Sequence, residues 1–154
     1  MKNSKIFKRI ALLAVVVTSF ITLGMFTTSA QTSDNTSAGF VKMIVKEMKA
    51  EMPMDLGDGL FMTAIYTADS NIVMEITCTD TIVDLIRLGW SEMSKEESMK
   101  SFLLDSSSRL MAKLCVEANY GIRYICLTKD RSNQTEQFFT PSDLKTLLSL
   151  GSTN

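Results

Sequence analysis

A chain of 154 residues with three cysteines and no histidine cannot build an imidazole-based serine or cysteine triad, an HExxH zinc site or any other His-ligated metal centre. Catalysis would have to rest on carboxylates, Lys, Tyr or Cys. The 16 basic and 17 acidic residues nearly balance, and their scatter leaves no basic stripe for nucleic acid or an anionic membrane surface.

The N-terminus carries Lys2, Lys5, Lys8 and Arg9, then an apolar run over 10–26, then small polar residues ending at Thr28, Ser29 and Ala30. This pattern predicts a secretory signal peptide over 1–30, cleaved before Gln31. The apolar run is 17 residues, short for a membrane span, and no stable span is expected after cleavage. Cleavage removes four basic residues and leaves 124 residues with 12 basic against 17 acidic, an acidic product of one-domain size. A secreted or periplasmic location follows. The polar stretch 31–38 reads as a flexible leader, and 39–151 as a single α+β domain.

Phe40, Val41, Ile44, Val45 and Met48 recur at helical spacing opposite Lys42, Lys46, Glu47 and Lys49, which predicts an amphipathic helix ended by Pro53. The segment 52–59, MPMDLGDG, reads as a loop. Asp55 and Asp58 faintly resemble a calcium loop, but a glycine-rich turn into a strand accounts for them better.

Residues 60–67 and 72–79 alternate and favour strand, and 68–71 (Ala-Asp-Ser-Asn) favour a turn, which predicts a β-hairpin. Positions pairing across an even-numbered loop sum to an odd number. Phe61, Thr63 and Ile65 should therefore share a core face with Met74, Ile76 and Cys78. Met62, Ala64, Tyr66, Val73, Glu75 and Thr77 fall on the opposite face, which is apolar for a wet surface. Either the first helix covers that face or it is a contact surface, and the helix, which must pack somewhere, is the expected cover.

Residues 80–90 read as a short helix stopped by Gly89, and Ser94 with Glu97 as a capping box. An apolar stripe from Met99 to Ala118 predicts one helix, bent at 105–108, with Asn119 and Gly121 as its stop. A second hairpin follows, 121–128 and 135–140 around the polar loop 129–134. Thr140, Pro141 and Asp143 then start a final helix with Leu144, Leu147, Leu148 and Leu150 as its stripe. The expected fold is α+β: a four-stranded antiparallel sheet from two β-hairpins with helices packed mainly on one face.

This order resembles small secreted bacterial proteins of unknown function over about residues 40 to 150. The matching features are the proline before the first hairpin, the helix running into Asn119 and Gly121, and the Thr140-Pro141-x-Asp143-Leu144 start. The resemblance implies aromatics in the second hairpin, matched by Tyr124 and Phe138, and brings no catalytic or binding residues. A terminal cysteine that some relatives carry after that hairpin is absent.

Cys78, Cys115 and Cys126 admit two readings: one disulfide with a thiol left over, or three small buried apolar residues. The methionines, with Met48, Met52 and Met54 close together, admit a Cu(I)-binding reading but suit core filling better. Glu75, lacking a marked second acid, is the one candidate for a carboxylate-dependent hydrolase. Asn35 and Asn133 head N-glycosylation patterns, and Asp80-Thr81-Ile82 resembles a three-residue bacterial O-glycosylation signal. The function these features support is an exported, non-enzymatic domain without cofactor or metal that binds a protein or cell-envelope component. Met62, Tyr66, Val73 and Glu75 are the candidate contact residues.

Overall fold

The computed structural model describes residues 37–102 and 106–150, and the signal-peptide reading of 1–30 lies outside them. Helix α1 (Ser37–Ala50) buries Val41, Ile44, Val45 and Met48, the stripe expected from its spacing. Five strands follow in the order β1 (Met54–Gly57), β2 (Leu60–Ala68), β3 (Asn71–Cys78), β4 (Gly121–Thr128) and β5 (Gln134–Phe139). Helices α2 (Asp80–Glu92), α3 (Lys95–Phe102) and α4 (Ser106–Ala118) separate β3 from β4, and α5 (Pro141–Leu150) closes the described chain.

The four-stranded antiparallel sheet is overturned on two counts. The sheet has five strands, and β3 pairs with β4 in parallel, from Asn71 opposite Gly121 to Cys78 opposite Thr128 without a slip. A parallel pair needs a long crossover, which the three helices provide. The fifth strand is β1, read above as loop. Half-buried Met54 and Leu56 alternate there with exposed Asp55 and Gly57, and a turn with positive φ at Gly57, Asp58 and Gly59 (83°, 55° and 78°) folds it antiparallel onto β2.

The β2–β3 hairpin closes in two residues rather than four, Asp69 and Ser70, both left-handed at φ 49° and 57°. Its register then changes. Ala64 faces Glu75 and Tyr66 faces Val73, but Met62 faces Ile76 and Phe61 faces Thr77, so one extra residue, Thr63, sits in a β-bulge. The bulge reverses the side-chain phase of everything before it. Met62 turns into the core at 0% exposure and Phe61 turns out at 42%, so the assignments of Phe61 and Thr63 to the core face and Met62 to the other are corrected.

All helices with described buried side chains serve one face of the sheet. Val41 and Ile44 of α1, Val83 and Ile86 of α2, Met111, Ala112 and Cys115 of α4, and Leu144 and Leu147 of α5 form one cluster with Ile72, Met74, Ile76, Ile122, Tyr124 and Phe139. The expectation that α1 covers the opposite face is therefore overturned.

The helix ends at Ser94, Asn119 and Thr140 follow the predicted chemistry, whereas α2 runs through Gly89, expected as its stop, to Glu92. Ser94 and Glu97 close a capping box, with the Glu97 N–H donating to Ser94 Oγ at 3.2 Å and the Ser94 N–H to Glu97 Oε2 at 2.9 Å. Asn119, at φ 56°, ends α4 as the left-handed residue of a Schellman motif, in which the Tyr120 and Asn119 N–H groups donate to the Cys115 and Val116 carbonyls. Residues 103–105, within the stretch read as one bent helix, lie outside the described residues.

Thr140 and Asp143 form a second reciprocal cap on α5: the Asp143 N–H donates to Thr140 Oγ1 at 3.1 Å and the Thr140 N–H to Asp143 Oδ2 at 2.7 Å. Burial pushes the Asp143 carboxyl up, but Lys95 at 2.5 Å and the Thr140 donors outweigh it and hold its pKa below the usual value. A folded-state pKa below the unfolded one adds stability above the ordinary carboxylate range, lost as pH falls through the folded value. Thr140→Ala is expected to cost about 1 kcal/mol in urea melts at pH 7. Asp143→Asn should flatten the fall in the urea midpoint on acidification, and an unchanged pH slope would remove Asp143 from the cause.

Candidate functional site

The helix-free face of the sheet holds most of the candidate contact residues, and strand register sets out its rows. Tyr66, Val73, Arg123 and Phe138 lie side by side across β2 to β5; Ala64, Glu75, Ile125 and Glu136 form the next row; Phe61, Thr77, Leu127 and Gln134 form the third. Alternation along each strand keeps these side chains on the side away from the core.

Polar side chains across the rows are paired with one another. The Tyr66 hydroxyl donates to Glu75 Oε1 at 3.1 Å, and Arg131 Nη2, from the β4–β5 loop, donates to the same oxygen at 2.9 Å. Arg131 is left-handed at φ 61°, and its guanidinium reaches onto the sheet there. Arg123 donates to Glu136 Oε2 through Nη2 at 2.7 Å and Nε at 3.1 Å. Thr63 Oγ1 and Thr77 Oγ1 lie 2.9 Å apart. Burial, then the hydrogen bond to the Glu75 carboxylate, raises the pKa of Tyr66, since ionising it would place two negative charges together.

The candidate contact residues separate into three environments. Met62 belongs to the core. Val73 and Glu75 face outward but are only 4% and 8% exposed, and Tyr66 is half-buried. The exposed large apolar side chains on this face are Phe61 and Phe138, at 42% and 38%. Phe61 was missed because its outward turn depends on the bulge, and nothing in alternating residues marks where an extra one is inserted.

Glu136 lies in the same row as Glu75, two strands away, about 10 Å by strand spacing. It is the second acid a carboxylate hydrolase would need. Each of the two carboxylates is, however, hydrogen-bonded by its own arginine. Among the described residues no group of three or more His, Cys, Asp or Glu is placed to hold a metal ion. Asp55 uses its carboxylate to accept the Gly57 N–H at 2.8 Å, as a turn residue does. Met48, Met62, Met74 and Met111 are no more than 2% exposed within the core.

The three thiols are free and buried on the other side of the sheet. Burial raises the pKa of Cys78 to about 11 and that of Cys115 to about 12, and pushes Cys126 higher still. In the parallel register Cys126 faces Ile76 and Cys78 faces Thr128. The Cys78–Cys126 diagonal is then about 8 Å by strand rise and spacing, wider than the Cα separation of a disulfide.

No family model matches the chain, and no curated protein is similar to it. One solved structure does share its fold. A candidate secreted protein from Pseudomonas aeruginosa superposes with a TM-score of 0.56, over 75% of this chain and 99% of that one, at 8% identity. At that identity the likeness is one of fold. Among the described residues no helix is long and apolar enough to cross a membrane.

Proposed function

We propose that the protein is an exported, non-enzymatic domain that binds another protein or a cell-envelope component through the helix-free face of its sheet. The observation that carries this reading is that face itself, which bears exposed Phe61 and Phe138 while every described helix with buried side chains packs on the other side. Arg123 and Arg131 are matched there by Glu136 and Glu75. That balance suits a protein surface, which presents both signs, better than a polyanion. The N-terminal sequence and the secreted fold neighbour support export.

The test compares affinity capture of the tagged mature protein from its own envelope fraction with capture by the double variant Phe61→Ser/Phe138→Ser. Both side chains are exposed, so the variant should keep its circular dichroism spectrum and an unfolding free energy within about 1 kcal/mol of the native protein. A component retained by the native protein and lost by the variant is the expected result. Identical captures would remove this face from the function.

A further inference from the structure

We propose that Thr81 is the acceptor of an O-linked glycan, a reading that rests on export of the chain. Asp80-Thr81-Ile82 is the one place in the sequence where an Asp is followed by Ser or Thr and then by an apolar residue. Asp69-Ser70 runs into Asn71, and Asp105-Ser106 into Ser107.

The fold leaves the first two residues of this tripeptide on the surface. Asp80 and Thr81 are both exposed in the first turn of α2. That turn has no side-chain cap, since Thr79, at the N-cap, makes no side-chain hydrogen bond to it, whereas α3 and α5 each begin with a reciprocal cap; its Ile82 and Val83 N–H groups donate to the Thr79 carbonyl at 3.0 Å each. The helix is anchored from Val83 and Ile86 onward, both 0% exposed. Ile82 packs against the core cluster, so Asp80 and Thr81 are the part of the tripeptide open to a transferase. The competing acceptor is engaged: the Asn133 amide donates to Asp80 and Asp84, at 3.2 Å each, and its oxygen accepts from Arg87.

In the transfer step Thr81 Oγ1 attacks the anomeric carbon of a glycosyl phosphate donor. A carbon–oxygen glycosidic bond forms and the bond from that carbon to the phosphate oxygen breaks. The phosphate leaves with the electron pair, and the hydroxyl proton passes to a base of the transferase. Donor and transferase come from the host's envelope; this chain contributes the hydroxyl and, in Asp80, the neighbouring carboxylate by which the site is recognised.

Intact mass of the protein purified from its own host, by fraction, tests this. The exported, cleaved form should exceed its sequence mass by whole sugar residues. Thr81→Ala and Asp80→Asn should return it to the sequence mass, Thr81→Ser should keep the increment, and Thr79→Ala, two residues away and without a preceding Asp, should leave it unchanged. Cleaved, exported protein at its sequence mass, or an increment that survives Thr81→Ala, overturns the glycan and leaves the export reading standing. A chain that stays in the cytoplasm with residues 1–30 attached overturns both.

Discussion

Met62→Ala is expected to lower the stability of the domain by about 2 to 4 kcal/mol, while Phe61→Ala, one residue earlier, should cost less than about 1 kcal/mol. Met62 is 0% exposed, on β2 opposite Ile76, so truncation leaves a cavity among neighbours that can collapse only in part. Phe61, the larger side chain, is 42% exposed and loses mainly contacts that water can replace. Strict alternation across the hairpin requires the reverse order. Urea melts of the two variants thus measure the Thr63 bulge, and a larger loss for Phe61→Ala would remove it.

Gly121→Ala should cost about 1 to 3 kcal/mol, the range for forcing extra carbon into packed structure. Asparagine and aromatic atoms crowd the first position of β4: an added Cβ would lie 2.3 Å from Asn71 Oδ1, 2.7 Å from Phe138 Cε2 and 2.9 Å from the Phe139 carbonyl oxygen. The two side chains can swing aside, but the carbonyl belongs to the neighbouring strand, so the strand pair itself must shift. Phe138 lies over the bare glycine, and a ring displaced from it would also change the face proposed for binding. Gly121→Ala/Phe138→Ala separates these contributions. Recovery of part of the loss assigns that part to the ring, and no recovery assigns the cost to the Asn71 side chain and the Phe139 carbonyl together.

Much of what depends on neighbours in sequence was legible from the residues, although the first hairpin turn takes two residues rather than four and α2 runs past Gly89. The stripe of α1, the Ser94–Glu97 and Thr140–Asp143 caps and the Asn119 stop all rest on side chains within four positions of the groups they satisfy. What depends on distant partners was not. Two hairpins joined by helices can meet through any of their strands, and the choice of β3 beside β4 makes the joint parallel. Strand β1 escaped because MDLG is too short to establish a period, and it becomes a strand only by pairing with β2. On the candidate face, Tyr66 and Glu75 were placed on the correct side because they follow the bulge, and Phe61 was not because it precedes it. Arg131 was invisible as a partner of Glu75, since a left-handed loop residue 56 positions away carries it there.

The parallel joint also shapes how the domain comes together. Every residue pair across it is 50 positions apart, as with Asn71 and Gly121, whereas both hairpins bring together residues within one short turn. Each hairpin closes a small loop at little entropic cost, but the joint between them must close the longest loop in the sheet. Within the sheet that joint has the highest contact order, so docking the second hairpin is expected to be the slow step of assembly. Until it happens, β3 presents an unpaired apolar edge, Ile72, Val73, Met74 and Ile76, to other unfolded chains.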